Sequence, residues 1–184
     1  GVTVTIAGLT ITEGHVVAAL KAAGHEVHLG AIYKHPREVM DLVDRIHPDL
    51  VWNFVQTFHG ERYFESNIAG VLELLKVAYT GCGHRALLIC QDKALSKKVL
   101  SYHRIPVPEF AVFPRGRAVR RRKRLPFPLI VKSLSEEAST GISQASVVDN
   151  EESLRERVAF VHTRVGTDAI VERYVEGREL YVGV

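Results

Sequence analysis

The spacing of apolar and polar positions in the first half of the chain predicts strands that alternate with helices. Strand patterns are "VTVTIAG", "HEVHLG" and "PDLVWNFV", and "VAYTG" predicts a short fourth strand. Between them, apolar residues recur every three or four positions in residues 16–23, 35–46 and 68–75, which indicates helices. Such alternation is typical of an α/β fold in which helices cover a parallel sheet. We therefore predict a Rossmann-like N-terminal domain over residues 1–85.

The second half of the chain has a different pattern. "QDKALSKKVLSYH" predicts a helix with Asp92 as its N-cap, and a later stripe over residues 154–165 predicts another. "FPLIVK" and "ISQASVV" predict strands, and "DAIVERYVEGRELYVGV" predicts two more, joined by a turn at Glu176 and Gly177. These elements predict an antiparallel α+β unit over residues 86–184. Because its last apolar alternation has no polar tail, we expect the unit to be truncated.

Composition places the chain among ordinary soluble proteins, with 46% hydrophobic and 24% charged residues. No apolar run approaches the ~18 residues that a membrane span needs, and the first residues lack a signal-peptide pattern. Cys82 and Cys90 are too few for a disulfide framework, so we expect both to be small buried residues. We predict a cytoplasmic protein without a membrane partner.

Positive charge is concentrated in one segment, "RGRAVRRRKR" at residues 115–124, which holds seven of the 24 Lys and Arg residues and no acid. A cationic cluster of this kind attracts polyanions, nucleic acid among them. No aromatic residue for base stacking is interleaved in it, however. A solvated basic loop is therefore favoured, and a non-catalytic polyanion-binding protein remains the alternative function.

Four charged residues fall on or beside predicted regular structure in the second half: Lys93, Lys132, Glu172 and Glu179. A charge inside a strand is costly unless it is paired or binds a ligand. One interpretation puts Glu172 on the solvent face of an edge strand, paired with a neighbouring base. The other is a nucleotide site, because lysines bind phosphates while carboxylates accept hydrogen bonds from an amine and from sugar hydroxyls. Neither usual phosphate loop, G-x-G-x-x-G or G-x-x-x-x-G-K-[ST], occurs in the chain.

Motif similarity favours the nucleotide interpretation. "QDKALSKKVLSYHRIPVP", "FPLIVKSLSEEASTGIS" and "DAIVERYVEGRELYVGV" resemble three consecutive motifs of the ATP-grasp ligases, in particular of the D-alanine–D-alanine ligase family. "GLTITEGH" and "HGERYFESNIAGVLELLKVAYTGCG" are similar to early segments of the same family. The similarity covers nearly the whole chain.

The resemblance implies a role for each matching residue. Lys93 and Lys132 would contact the ATP phosphates, Glu172 would accept a hydrogen bond from the adenine amino group, and Glu179 would bind the ribose hydroxyls. The backbone at Tyr174 and Val175 would contact the adenine edge, and residues 133–143 would form a lid over the triphosphate. Catalytic roles would fall to Lys132 and to Ser139 in that lid. Glu13 and His59 match positions that hold the first amino-acid substrate in the family.

The implied reaction joins a small-molecule carboxylate to an amine. ATP would phosphorylate the carboxylate, and the amine would attack the resulting acyl phosphate to form an amide. The lid sequence "EEASTG" departs from the family pattern E-G-S-S-V-G at Glu137 and Ala138, so ATP is better supported than D-alanine as a ligand. Mg²⁺ is the implied metal, but in that family its ligands follow the last strand pair. We therefore assign no metal ligand, expect this fragment to be inactive by itself, and leave a homodimer formed through the first domain as an open expectation.

Overall fold

The computed structural model describes residues 2–6, 11–121, 125–136 and 143–180, with side chains from residue 13 onward. Contacts divide the chain into two compact units, residues 1–88 and 89–184, and each is described by itself. The boundary between the two functional domains, predicted from the sequence after residue 85, stays a prediction. Within the described ranges, no helix combines the length and apolar character needed to cross a membrane.

The first unit is built on a three-stranded parallel sheet. Strands β1 (Val2–Ile6), β2 (Glu26–Gly30) and β3 (Leu50–Asn53) lie in the order β2-β1-β3. Its helices are α1 (Ile11–Ala22), α2 (Arg37–Ile46) and α3 (Glu65–Leu74), and α4 (His84–Gln91) runs across the division between the units. The parallel sheet with helical crossovers confirms the α/β prediction. The predicted fourth strand is reduced to one parallel bridge between Tyr79 and Val51.

Helical spacing explains how the first unit forms its core. Val39 in α2 and Ile68 and Leu72 in α3 are fully buried, and they pack in one cluster with Val51 of β3. Ile68 and Leu72 lie four residues apart, which places them on one face of α3. Pro36 stands at the N-cap of α2, directly before its first turn.

The second unit is built on a four-stranded antiparallel sheet. Strands β4 (Phe110–Phe113), β5 (Leu129–Ser133), β6 (Val147–Val148) and β7 (Ala169–Arg173) lie in the order β4-β7-β5-β6. Its helices are α5 (Lys93–Tyr102) and α6 (Glu151–Phe160), and a π-helical turn (Val161–Val165) extends α6. This arrangement confirms the predicted α+β unit, and β7 is an interior strand rather than an edge strand.

The two faces of this sheet differ in chemistry. On one face, Leu129, Val131 and Val171 pack with Leu154 and Val158 of α6 in the core of the unit. Successive residues of a strand point to opposite faces, so their neighbours in sequence lie on the other face. That face carries two charged residues. The register pairs Ile130 with Glu172 and Lys132 with Ile170 across β5 and β7, so all four belong to it.

Three local predictions differ from the structure. The predicted strand at 142–148 is a 3₁₀ turn (Gln144–Ser146) followed by the two-residue β6; residue 142 lies outside the described residues. Residues 174–180 form no regular structure, so the second strand predicted after the turn at 176–177 is missing from its described part; 181–184 lie outside the described residues. Cys82 and Cys90, expected to be buried, are both exposed. Cys82 lies in the turn before α4, and Cys90 lies on the exposed side of that helix near its end.

Candidate functional site

Glu172 is the buried charge around which the candidate site of the second unit is arranged. It lies in β7, and only 3% of the residue is exposed. Because β7 is hydrogen-bonded to β4 on one side and to β5 on the other, the interpretation of Glu172 as a solvent-facing residue of an edge strand is wrong. The alternation of side chains along a strand does not tell an edge strand from an interior one, and this information comes only from the pairing.

Two lysines hold the Glu172 carboxylate, one at each oxygen. The Lys132 ammonium donates a hydrogen bond of 3.1 Å to Oε2, and the Lys97 ammonium lies 3.4 Å from Oε1. The exposed fractions are 4% for the glutamate side chain, 16% for Lys97 and 27% for Lys132. Burial of a carboxylate requires compensation by an opposite charge. Here two cations compensate one anion, so the cluster carries a surplus positive charge that is suited to an anionic ligand.

Lys93 begins helix α5 and is held close to the start of the predicted lid. The side chain of Asp92 accepts hydrogen bonds from the backbone of Ala94 and Leu95, at 2.8 and 2.9 Å, and so fixes the first turn of the helix. The Lys93 backbone N–H donates to the carbonyl of Leu134, and its ammonium donates to the carbonyl of Glu136. The predicted N-cap is thus present, and Lys93 contacts the segment that follows Lys132.

The segment after Lys132 is anchored to the residues that precede β7. The Ser133 hydroxyl lies 2.8 Å from that of Thr167 and accepts a hydrogen bond from the backbone of Glu136 at 2.9 Å. The Leu134 N–H donates to the carbonyl of Asp168 at 2.9 Å. These bonds fix the first residues of the predicted lid beside the candidate site. Ser139, Glu137 and Ala138 lie outside the described residues, so their predicted roles stay predictions.

The chain leaves the sheet after Arg173, the residue that follows Glu172. The Tyr174 N–H donates to the Pro128 carbonyl at 3.0 Å, so only the carbonyl of Tyr174 remains to meet a ligand edge. Within the described part of the chain, the backbone N–H of Val175 has no protein partner, and this residue is exposed. An open cavity of about 740 Å³ lies here, lined by Pro126, Phe127, Pro128, Val147 and residues 173–176. Glu179 follows as an exposed residue.

The residues predicted to hold the amino-acid substrate lie in the first unit. Glu13 is buried in the first turn of α1, with 8% exposure. His59 is exposed and has a left-handed backbone, with φ of 54°; its Nε2 lies 2.9 Å from the carbonyl oxygen of Lys34. Its ring contacts Phe58, with centroids 4.3 Å apart, and lines an apolar cavity of about 290 Å³ together with Phe64 and Ile68.

A polar network in the first unit escaped the sequence analysis. Oε1 of Glu73 accepts hydrogen bonds from the Tyr79 hydroxyl at 2.9 Å and from the His84 backbone N–H at 2.8 Å. These two bonds, the His84 bond first, lower the pKa of Glu73 below its ordinary value. Burial, followed by the hydrogen bond to Glu73, raises the pKa of Tyr79 to about 12. The network joins the end of α3 to the start of α4.

Part of the basic segment has a structural role. The Arg121 guanidinium donates to Glu151 at 2.6 Å and to the carbonyl of Leu125 at 2.7 Å, and it lies 4.6 Å from the ring centroid of Phe127. The backbone N–H of Arg115 donates to the Asp168 carboxylate at 2.9 Å. Residues 122–124 lie outside the described residues. Polyanion binding therefore stays a prediction, and it would fall to the remaining basic residues of the segment.

Lys97 was absent from the predicted site. A lysine on a helix is usually a solvated residue, so its type alone gave no signal. The position of Lys97 did give a signal, because it follows Lys93 by four residues and therefore lies on the same face of α5. As for metals, no cluster of three or more His, Cys, Asp or Glu residues that could hold an ion occurs among the residues that the structure describes.

Known proteins are similar to this chain in sequence and in fold. A family model described as the D-ala D-ala ligase C-terminus matches residues 99–184. The D-alanine–D-alanine ligase of Desulforudis audaxviator is 31% identical over an alignment of 172 residues, and the match covers 92% of this chain and 53% of that protein. That of Granulibacter bethesdensis is 35% identical over an alignment of 185 residues, and the match covers 95% of this chain and 54% of that protein.

Among solved structures, a D-alanine–D-alanine ligase from Bacillus anthracis in complex with ATP matches with a TM-score of 0.74 at 22% identity. The match covers 96% of this chain and 59% of that one. In fold the chain is similar to ATP-grasp ligases. In sequence it is similar to D-alanine–D-alanine ligases, so the resemblance seen in the motifs is confirmed. The chain spans about half the length of the curated relatives it matches.

Proposed function

We propose that this chain contributes the ATP-binding part of a ligase that joins a carboxylate to an amine. The observation that carries the proposal is the buried carboxylate of Glu172, held by Lys132 and Lys97, with an open cavity lined by the residues that directly follow it in the chain. A nucleotide offers an amino group for a carboxylate and a polyphosphate for lysines. The charges of this site fit both. The kinship with D-alanine–D-alanine ligases supports the same function.

Each residue of the site has a proposed role. Lys93 and Lys132 bind the phosphates of ATP, and Glu172 accepts a hydrogen bond from the adenine amino group. The carbonyl of Tyr174 and the N–H of Val175 contact the adenine edge, because these backbone groups make no hydrogen bond with another described residue. Glu179 binds the ribose hydroxyls, which are donors that an ionised carboxylate can accept.

The proposed reaction forms an amide in two steps. The substrate carboxylate attacks the γ-phosphorus of ATP, the bond to the bridging oxygen breaks, ADP leaves, and the carboxylate becomes an acyl phosphate. The amine then attacks the acyl carbon, and inorganic phosphate leaves. The contribution of Lys132 is electrostatic, because a cation fixed beside the transferring group stabilises the charge that develops there. Ser139 is the proposed lid residue at the phosphates, and Mg²⁺, when bound, would neutralise further phosphate charge.

Nucleotide binding tests the proposal directly. A ligand present at 100 times its Kd raises the free energy of unfolding by about 2.7 kcal/mol, so millimolar ADP or ATP is expected to raise the melting temperature. Lys132→Ala and Glu172→Ala are each expected to reduce that shift. Lys98→Ala is the matched control, because Lys98 is an exposed lysine on the same helix as Lys97. A cooperatively folded wild-type chain whose melting does not respond to either nucleotide contradicts the proposal.

The substrate assignment needs a separate test. We propose that Glu13 binds the ammonium group of an amino-acid substrate and that His59 lies beside it. Glu13→Gln is then expected to weaken amino-acid binding, measured by calorimetry with D-alanine and with other small amino acids, while ADP binding is unchanged. If the binding of the amino acid and the binding of ADP weakened equally, the role of Glu13 would be to stabilise the fold.

A further inference from the structure

Glu172 has one more cation than its charge requires, and this surplus has a use if the site binds a nucleotide. We propose that Lys97 is a positioning residue: it stays paired with Glu172 when the nucleotide phosphates draw Lys132 away. The inference rests on the proposed function. It assigns to Lys97 a role in coupling recognition of the base to recognition of the phosphates.

The first step of the argument is the division of the carboxylate oxygens. Lys97 lies at Oε1, and Lys132 is hydrogen-bonded to Oε2. Departure of Lys132 therefore frees Oε2 as an acceptor, which is the group that an adenine amino donor needs. The same movement brings a free ammonium to the phosphates. One lysine thus exchanges a carboxylate partner for a phosphate partner, and no charge is created or lost.

The second step is burial. The Glu172 side chain is only 4% exposed, so a carboxylate that lost its only counter-ion there would be strongly destabilised. With Lys97 at 3.4 Å, the carboxylate keeps one cation after Lys132 has left. Lys97 is the less exposed of the two lysines, at 16% against 27%, which suits it to remain in place.

The third step separates Lys97 from Lys93. Both lie on one face of α5, four residues apart. The ammonium of Lys93 donates to the Glu136 carbonyl at the start of the lid, whereas that of Lys97 lies at the carboxylate. The helix therefore directs one lysine toward the lid and the other toward Glu172, and its N-cap, Asp92, fixes both positions.

The test compares adenosine with ADP, since only ADP carries phosphates. The dissociation constants of both are measured for the wild-type chain and for Lys97→Met, Lys97→Arg and Lys98→Met. In Lys97→Met, Lys132 is the only cation left on Glu172, so the affinity advantage of ADP over adenosine is expected to fall by about tenfold or more. Lys97→Arg keeps the charge and is expected to retain most of the affinity advantage of ADP over adenosine. Lys98→Met removes an exposed charge from the same helix and is expected to change nothing.

A direct contact between Lys97 and the phosphates would also weaken ADP binding, and a double-mutant cycle with Glu172→Gln separates the two cases. If Lys97 acts through Glu172, Lys97→Met has no further effect on the adenosine-to-ADP ratio in the Glu172→Gln background. The same loss in both backgrounds overturns the inference, as does an unchanged ratio in Lys97→Met alone. Failure of the wild-type chain to bind ADP would instead overturn the proposed function, and the inference with it. Circular dichroism melts establish that each variant is folded, and Lys97→Gln serves if Lys97→Met is not.

Discussion

Glu73 in the first unit and Glu172 in the second are both carboxylates held by two partners, and the partners differ. In the first unit, Glu73 is exposed and accepts hydrogen bonds from two neutral donors, the Tyr79 hydroxyl and the His84 backbone. In the second unit, Glu172 is buried and lies between the cations Lys97 and Lys132. Water solvates the first carboxylate, so neutral donors suffice. The second has lost that solvation and requires charge.

The difference shows how a structural carboxylate can be told from a candidate ligand-binding one. Glu73 uses its bonds to join α3 to α4, and nothing about it calls for a further partner. Glu172 is surrounded by more positive charge than it can neutralise, so its cluster favours an added anion. Burial together with surplus charge is therefore the signal, and either feature alone occurs in ordinary salt bridges.

The largest effect is expected from Glu172→Gln. The substitution leaves two partly buried lysines without their anion, so the free energy of unfolding is expected to fall by about 2 kcal/mol, less than for a fully buried pair because both lysines reach water. Urea denaturation measures the change. Glu176→Gln is the control, since Glu176 is exposed after the end of β7. A loss as small as that of the control would show that the buried cluster contributes little to stability.

A smaller effect is expected when a side-chain N-cap of either α-helix in the second unit is replaced. The two replacements are expected to lower stability equally but to differ in their effect on ADP binding. Asp92 caps α5 and Asn150 caps α6, each accepting two backbone N–H bonds. Replacement of either by Ala is expected to lower the free energy of unfolding by about 1 kcal/mol. Only Asp92→Ala is expected to weaken ADP binding, measured by calorimetry, because α5 carries the site lysines while α6 packs on the apolar face. Equal weakening by both variants would contradict the separation of the two faces.

Glu73→Gln is expected to be milder than Glu172→Gln. The amide oxygen still accepts the bonds from Tyr79 and His84, and the removed charge was exposed to water. The urea midpoint is therefore expected to move by much less than in Glu172→Gln, and ADP binding is expected to stay at the wild-type value. Comparable losses in the two variants would remove the distinction between the two carboxylates.

The smallest effect is expected at high pH in the first unit. The pKa of Tyr79 is raised from 10.0 to about 12, so between these values the folded chain keeps a proton that the unfolded chain loses. The contribution of Tyr79 to the free energy of unfolding is therefore fully present below pH 10 and falls as the pH rises toward 12. Glu73, whose pKa is lowered, contributes stability above its ordinary value of 4.5, and this is lost as the pH falls through the folded value.

Tyr79→Phe isolates the alkaline step. A difference titration of tyrosinate absorbance between this variant and the wild-type chain reports Tyr79 alone among the six tyrosines. We expect the late-titrating component to be absent from the variant. A difference spectrum that titrates near the ordinary value of 10.0 would mean that burial and the bond to Glu73 do not raise the pKa of Tyr79.

Local patterns predicted the elements of the fold and the residues at strand ends. Asp92 was identified as an N-cap from its residue type and position, and Lys132 and Glu172 from their places in apolar strands. Their partnership could not be predicted, because it depends on the pairing of β5 with β7, which are almost forty residues apart in sequence. The same non-local pairing makes β7 an interior strand.

Lys97 and the Glu73 network depend on information that residue type does not carry. A lysine on a helix is usually solvated, and only the packing of α5 brings this one to a carboxylate. Tyr79 and His84 meet Glu73 because the chain turns back after α3. The predicted strand after Gly177 rested on alternation alone, and the described residues form no ladder there.

The attachments of the basic segment decide which of its arginines can be replaced without loosening the fold. The backbone of Asp168 accepts the Leu134 N–H and its carboxylate accepts the Arg115 N–H, so one residue holds both the start of the predicted lid and the first residue of the segment. Further along the segment, Arg121 is held by Glu151. A variant that tests the predicted polyanion binding should therefore replace the exposed Arg117 and Arg120 and keep both attachments.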